Sequence, residues 1–212
     1  METNHTISSG IETKSNILKA SLALFNEQGT EAVTFADIAR DSNISVAELQ
    51  FFFKDKKSIV RAMFYEIEIF SVRELWQISP QNREVRFADF MQFYFTAFAK
   101  YRFFFREFSM LIQQDSILAN DWRTSYERLV TVMQEALSGW VKQGLVKPFA
   151  TPKDAEIFIE LVWVIAAFTP VHLRARKDPS KFDTIREVNQ YVVKYLYPYH
   201  TERGQRVLDL YL

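Results

Sequence analysis

The chain has 212 residues, 48% hydrophobic and 25% charged, which suits a soluble globular protein of one large domain or a small domain joined to a medium one. Its 26 basic and 26 acidic residues cancel, so whole-chain charge gives no sign of a nucleic-acid partner. Cysteine is absent, which excludes a disulfide framework, a thiolate metal site and a cysteine nucleophile.

With only 5 Gly and 6 Pro, long helices are the default. Residues 1–11 are polar, hold no signal-peptide core and read as a disordered leader. From Thr13, the positions Ile17, Leu18, Leu22, Leu24 and Phe25 trace one helical face that Gly29 ends as a C-cap. Thr34 opens a second helix as N-cap, with Asp37 three residues on in a near capping-box pattern. Ser42-Asn43-Ile44 breaks it, Asn43 being able to take the left-handed conformation of a tight turn. Ser45 caps a short third helix, Val46–Phe52, and Asp55 caps a long fourth one running to about Ile78. Ser79-Pro80-Gln81-Asn82 is the first strong break, and helices follow at roughly 84–100, 102–114, 119–144, 152–174 and 183–197. The expected fold is all-α, with about nine helices. It divides into a helix-turn-helix domain at 12–57 and a larger helical domain at 58–212.

Helix, loop, helix, three-residue turn and short helix form a helix-turn-helix, whose third helix fits a major groove roughly 12 Å wide. Between Ile11 and Arg61 seven basic and seven acidic residues balance, but four of the bases fall between Lys54 and Arg61. The run Lys14-Ser-Asn-Ile-Leu-Lys-Ala, then Leu24-Phe25-x-Glu27-x-Gly29, Thr34-x-x-x-Ile38-Ala39, Ile44-Ser45, Leu49 and Phe53-x-x-Lys56, resembles the N-terminal signature of the tetracycline-repressor (TetR) family over about residues 14–62. The resemblance implies a DNA-binding transcriptional regulator, a repressor by the commoner role, released from its operator by a small molecule. The DNA-binding candidates are Thr34, Ser45, Val46, Ala47, Glu48, Gln50, Phe51, Lys54, Lys56 and Lys57. The three lysines are read as phosphate contacts, while Phe51, like Phe53, is expected to pack back into the small domain. Asn43 stands where the family usually has Gly, Gln50 where it has Tyr, and Phe52 where it has His. Glu48 adds a negative charge to the reading helix, although Glu can accept from cytosine and Gln can read adenine. These departures leave open a second reading, a non-DNA-binding helical sensor or interaction protein of the same fold.

Aromatic residues make up 16% of the chain and cluster between residues 51 and 126. They fit a bulky helical core or the wall of a cavity for an apolar or aromatic effector. The resemblance places the effector among the helices between about 84 and 174, with Phe90, Tyr94, Phe98, Phe104, Phe108, Tyr126 and Trp163 as candidate wall. Ile159, Val162, Ile165 and Ala166 on one late helix, and Val188, Tyr191, Val192 and Tyr195 on the last, supply apolar faces for a homodimer. A dimer would set two reading helices ~34 Å apart in successive major grooves. The three histidines are scattered, and neither a phosphate-binding Gly-rich loop nor a nucleophile motif is present, so an enzyme is not expected and no cofactor or metal is implied. The longest apolar run, Leu161–Phe168, is far short of the ~20 residues of a membrane span, which points to the cytoplasm.

Overall fold

In a computed structural model of the protein, the described residues are 2–77, 96–176 and 184–209. Among them the secondary structure is helical apart from turns and one isolated antiparallel bridge, Val146 to His200, as the all-α reading expects. The predicted breaks at Ser79–Asn82 and Lys177–Pro179 lie outside the described residues.

Helix α1 spans Glu2–Gln28. The leader read as disordered at 1–11 is therefore helical from Glu2, because no proline and only Gly10 interrupts the run, and adding residues to an existing helix costs little. Gly29 ends α1 at φ 90°, where its N–H donates to the Phe25 carbonyl at 3.0 Å. A side chain here would be strained by φ, and its Cβ would stand 2.8 Å from Glu107 Oε1. Helices α2 (Phe35–Asp41), α3 (Val46–Phe52) and α4 (Lys56–Gln77) follow.

The chain divides into two compact units, Met1–Phe70 with Tyr101–Leu118, and Ser71–Lys100 with Ala119–Leu212. The first unit thus reaches past the 12–57 read from the sequence and recruits a segment some thirty residues further along the chain (roughly, by the spacing of connected elements). That segment forms α5 (Arg102–Arg106) and α6 (Phe108–Gln114) rather than the single helix expected at 102–114. The break is Glu107, whose carboxylate accepts from the Thr30 N–H at 2.9 Å and the Thr30 hydroxyl at 2.6 Å. Beside it the Arg106 guanidinium donates to the carbonyls of Phe25 and Asn26, satisfying the open end of α1. Arg61 pairs with Asp115 at 2.5 Å, and the same carboxylate caps the following helix by accepting from the N–H groups of Ile117 and Leu118. The core of this unit is aromatic, with Phe25 against Phe103 at 5.3 Å and Phe64 stacked on Phe104 at 5.8 Å.

The second unit contains most of α7 (Ser116–Lys142), then α8 (Pro152–Arg176), α9 (Thr184–Leu196), a 3₁₀ turn at Tyr197–Tyr199 and α10 (Glu202–Leu208). Met133, Leu137 and Trp140 of α7, Phe158, Ile159 and Leu173 of α8, and Val188, Val192 and Leu196 of α9 form its core. Helix α10 was not foreseen, although Thr201 is a good N-cap and accepts from the Gly204 N–H at 3.2 Å.

Candidate nucleic-acid interface

Every backbone feature needed to present a short helix is set by a side chain or a turn. The Thr34 hydroxyl accepts from the Asp37 N–H at 3.1 Å, and the Asp37 carboxylate accepts from the Thr34 N–H at 3.0 Å, closing a capping box on α2. These bonds to Thr34, before the nearby Arg40 charge, hold the Asp37 carboxyl below its ordinary pKa. Arg40 bridges Asp37 and Asp41, each at 3.0 Å. Asn43 takes φ 57°, so the turn between α2 and α3 tolerates Asn in place of Gly. Ser45 then caps α3 by accepting from the Glu48 N–H at 3.0 Å.

Leu49 and Phe53 anchor α3 in the unit's core. With 100° between successive residues, Ala47 and Phe51 lie on the opposite side, flanked by Gln50 and Glu48. All four are exposed, as is Val46. Phe53 is buried as expected, but Phe51 is 84% exposed and does not pack back into the domain. The helical repeat dictates this, since two residues separate opposite faces and cannot both reach one core.

The three lysines behave differently. Lys56 opens α4 and its ammonium donates to three carbonyls, Thr30 at 2.6 Å, Val33 at 2.7 Å and Glu31 at 3.4 Å. An ammonium has three N–H donors, so all of them face protein. Lys57 donates to the Gln114 carbonyl at 2.6 Å. The phosphate contact expected of these two therefore competes with bonds already made inside the unit. Lys54 is exposed on the turn after α3.

Two family models match the chain. One, the bacterial regulatory proteins of the tetR family, covers residues 17–63, and the other, a bacterial transcriptional repressor domain named TetR, covers residues 72–208. The chain belongs to the TetR family. Among solved structures, a TetR-family regulator from Marinobacter aquaeolei VT8 is similar at 23% identity and TM-score 0.79, over 93% of this chain and 98% of that one. SmeT of Stenotrophomonas maltophilia, in its triclosan complex, is similar at 17% identity and TM-score 0.62, over 90% and 93%. KstR2 of Mycobacterium tuberculosis is similar at 17% identity and TM-score 0.65, over 89% and 95%. At these identities the likeness shows the fold. Among curated proteins, none matches.

Within this TetR-family chain the described members of the candidate effector wall divide between the two units. Phe104 and Phe108 belong to the first unit, Phe104 fully buried against Phe64, Phe105 and Phe108. Phe98 packs against the core of the second unit. Tyr126 and Trp163 meet there with Trp122, ring centroids 5.4–6.2 Å apart. Burial, then the charges of Glu160 and Glu156, raises the Tyr126 hydroxyl above its ordinary pKa. Phe90 and Tyr94 lie outside the described residues.

Of the dimer candidates, Ile159, Val188 and Val192 are buried in the second unit's own core. Val162 and Ile165 pack against the same core, and Tyr195 stacks on Phe158 at 6.0 Å. Of the named set Tyr191 remains exposed, and the side chain of Ala166 lies outside the described ones. The outward row on α8 is instead Ile157, Leu161, Val164, Phe168 and Val171, each between 39% and 50% exposed. Their alternating steps of four and three make the narrow apolar seam by which one helix packs along another.

Proposed function

We propose that this TetR-family protein binds operator DNA as a homodimer and is released from it by an apolar or aromatic small molecule. The observation that carries the reading is α3, capped at Ser45, held to the core by Leu49 and Phe53, and exposing Ala47, Glu48, Gln50 and Phe51 on its free face. Such a helix is built to enter a major groove. The seam Ile157–Val171 supports the homodimer, since five apolar side chains in a row on one helix are otherwise left in water. Pro152–Leu173 is also long and apolar enough to cross a membrane. Glu160 stands exposed in the middle of that stretch, where a bilayer would penalise it, and core plus partner account for both apolar faces. The cluster Trp122, Tyr126 and Trp163 supports an aromatic effector, and the SmeT structure holds triclosan.

Lys54 takes over the phosphate role in this reading, and Gln50 reads a base edge. Binding isotherms on the operator and on random duplex over a salt series test it. Gln50→Ala weakens the specific site by about 1–3 kcal/mol and relaxes discrimination there. Lys54→Ala weakens all sequences alike and lowers the salt slope by about one unit. Glu48→Ala tightens binding to every duplex if Glu48 only repels phosphate, and weakens the operator alone if it accepts from cytosine. Unchanged operator affinity in all three variants would move the DNA contact off this face, and a wild-type protein that binds neither operator nor random duplex would favour the non-DNA-binding interaction protein.

A further inference from the structure

We infer that α3 selects an A·T-dense half-site, reading thymine C5-methyl groups with Phe51 and Ala47 and an adenine with Gln50. The inference rests on the DNA-binding reading above and adds what that DNA must contain.

The argument is one of available chemistry. Each base pair shows a distinct edge in the major groove, and each kind of side chain suits some edges and not others. Guanine is read by the paired donors of Arg or Lys. Helix α3, Val-Ala-Glu-Leu-Gln-Phe-Phe, contains neither. The neighbouring Arg40 is committed to Asp37 and Asp41, while the ammonium groups of Lys56 and Lys57 donate to backbone carbonyls. The groups left on the outward face are Val46, Ala47, Gln50 and Phe51, with Glu48 at the flank. An apolar side chain in a groove gains only where it meets an apolar patch, and the thymine methyl is the one that an unmodified duplex displays there. Gln is suited to the N6 and N7 edge of adenine. Adenine pairs with thymine, so both preferences point to the same base pairs.

The placement of Phe51 makes this more than a composition argument. Its ring stands 84% exposed, diametrically across α3 from the buried Leu49 and Phe53, and its edge-on neighbour Phe52 is 5.3 Å away by centroid. It is thus held outward by the same helix register that fixes the core, and no core contact is sacrificed if it is replaced. Ala47 sits one turn before it on the same line, small enough to let the groove floor approach.

The test uses the full-length protein and a pool of duplexes with a randomised core. Enriched half-sites are expected to be A·T-dense. In the selected duplex each thymine is then replaced in turn by uracil, which removes the methyl and keeps the pairing. At the thymine facing Phe51, affinity is expected to fall about fourfold per methyl, and about fifteenfold when both half-sites of a symmetric site are changed. Phe51→Ala is expected to bind the thymine and uracil forms of that one position equally while circular dichroism shows an unchanged fold. A G·C-dense core, uracil replacement without effect at every position, or a Phe51→Ala protein that keeps the thymine preference at that position would each overturn the inference and leave the DNA-binding reading standing. A pool that yields no enriched duplex at all would overturn both.

Discussion

The two compact units solve the same problem, covering apolar surface, in opposite ways. The first closes on itself: Phe25, Phe64, Phe103 and Phe104 lie inside it, and charged groups tie its loops by bonds to backbone atoms. The most exposed ring among its described residues, Phe51, stands on the face that meets DNA in the function proposed above. The second unit leaves a straight row of apolar residues outside on α8, although it buries Phe158, Ile159 and Leu173 from the same helix. The difference teaches that a unit presenting one short helix is complete alone, whereas the second, in the function proposed above, is finished by its copy.

That contrast can be broken most forcefully at the seam. Leu161→Asp with Phe168→Asp puts two charges on side chains already exposed in one chain, so the fold is kept. Sedimentation is expected to give a mass near the 25.0 kDa of one chain instead of twice that. Operator affinity is expected to drop by about 10²–10⁴-fold, because two linked half-site contacts become one. A variant that stays dimeric would move the interface elsewhere.

In the self-closing unit, Phe104→Ala removes a fully buried ring and is expected to cost about 3–5 kcal/mol in chemical denaturation. If effector affinity changed and stability did not, Phe104 would belong to a ligand wall instead of a core. Lys56→Met, which keeps the stem and removes the donors, is expected to cost about 2–3 kcal/mol by stranding the carbonyls of Thr30 and Val33. The variant's salt slope on DNA should match the wild type; a slope lower by one would restore Lys56 as a phosphate contact.

The smallest effect concerns pH in the second unit. Burial, outweighing its bond to the Leu196 carbonyl, holds the His200 imidazole below its ordinary pKa of 6.5. The unfolded chain therefore binds more protons at His200 than the folded one as pH drops through 6.5, so stability falls with falling pH until the folded value is passed. Urea midpoints should decline over this window, and less steeply in His200→Asn.

The reading head was legible because its signals are local. Thr34, Asp37, Asn43 and Ser45 each act within a few residues, and the bounds of α3 agree with the sequence reading. What failed depends on distant partners. Helix α8 is apolar nearly all round, so periodicity gave no ground for choosing Ile159 over Leu161 as the outward side. The exposure of Phe51 was available from the helical repeat, given that Leu49 and Phe53 face the core. Nothing local to Lys56 shows that carbonyls of residues 30–33 will surround its ammonium. Likewise, no short-range pattern assigns Arg106 and Glu107 to the end of α1, more than seventy residues earlier in order of magnitude.

That last attachment has a consequence for the order in which the protein is made. A growing chain emerges N-terminus first, so all of α1, α2 and α3 leave the ribosome before Arg106, Glu107 and Asp115 exist. Until then the carbonyls of Phe25 and Asn26, the Thr30 N–H and the guanidinium of Arg61 lack the partners that hold them in the finished unit. Phe25 and Phe64 lack Phe103 and Phe104 as well. The helix-turn-helix is therefore synthesised before the segment that completes its unit, and a reading head cut away after Phe70 is an unfinished object, not a portable module.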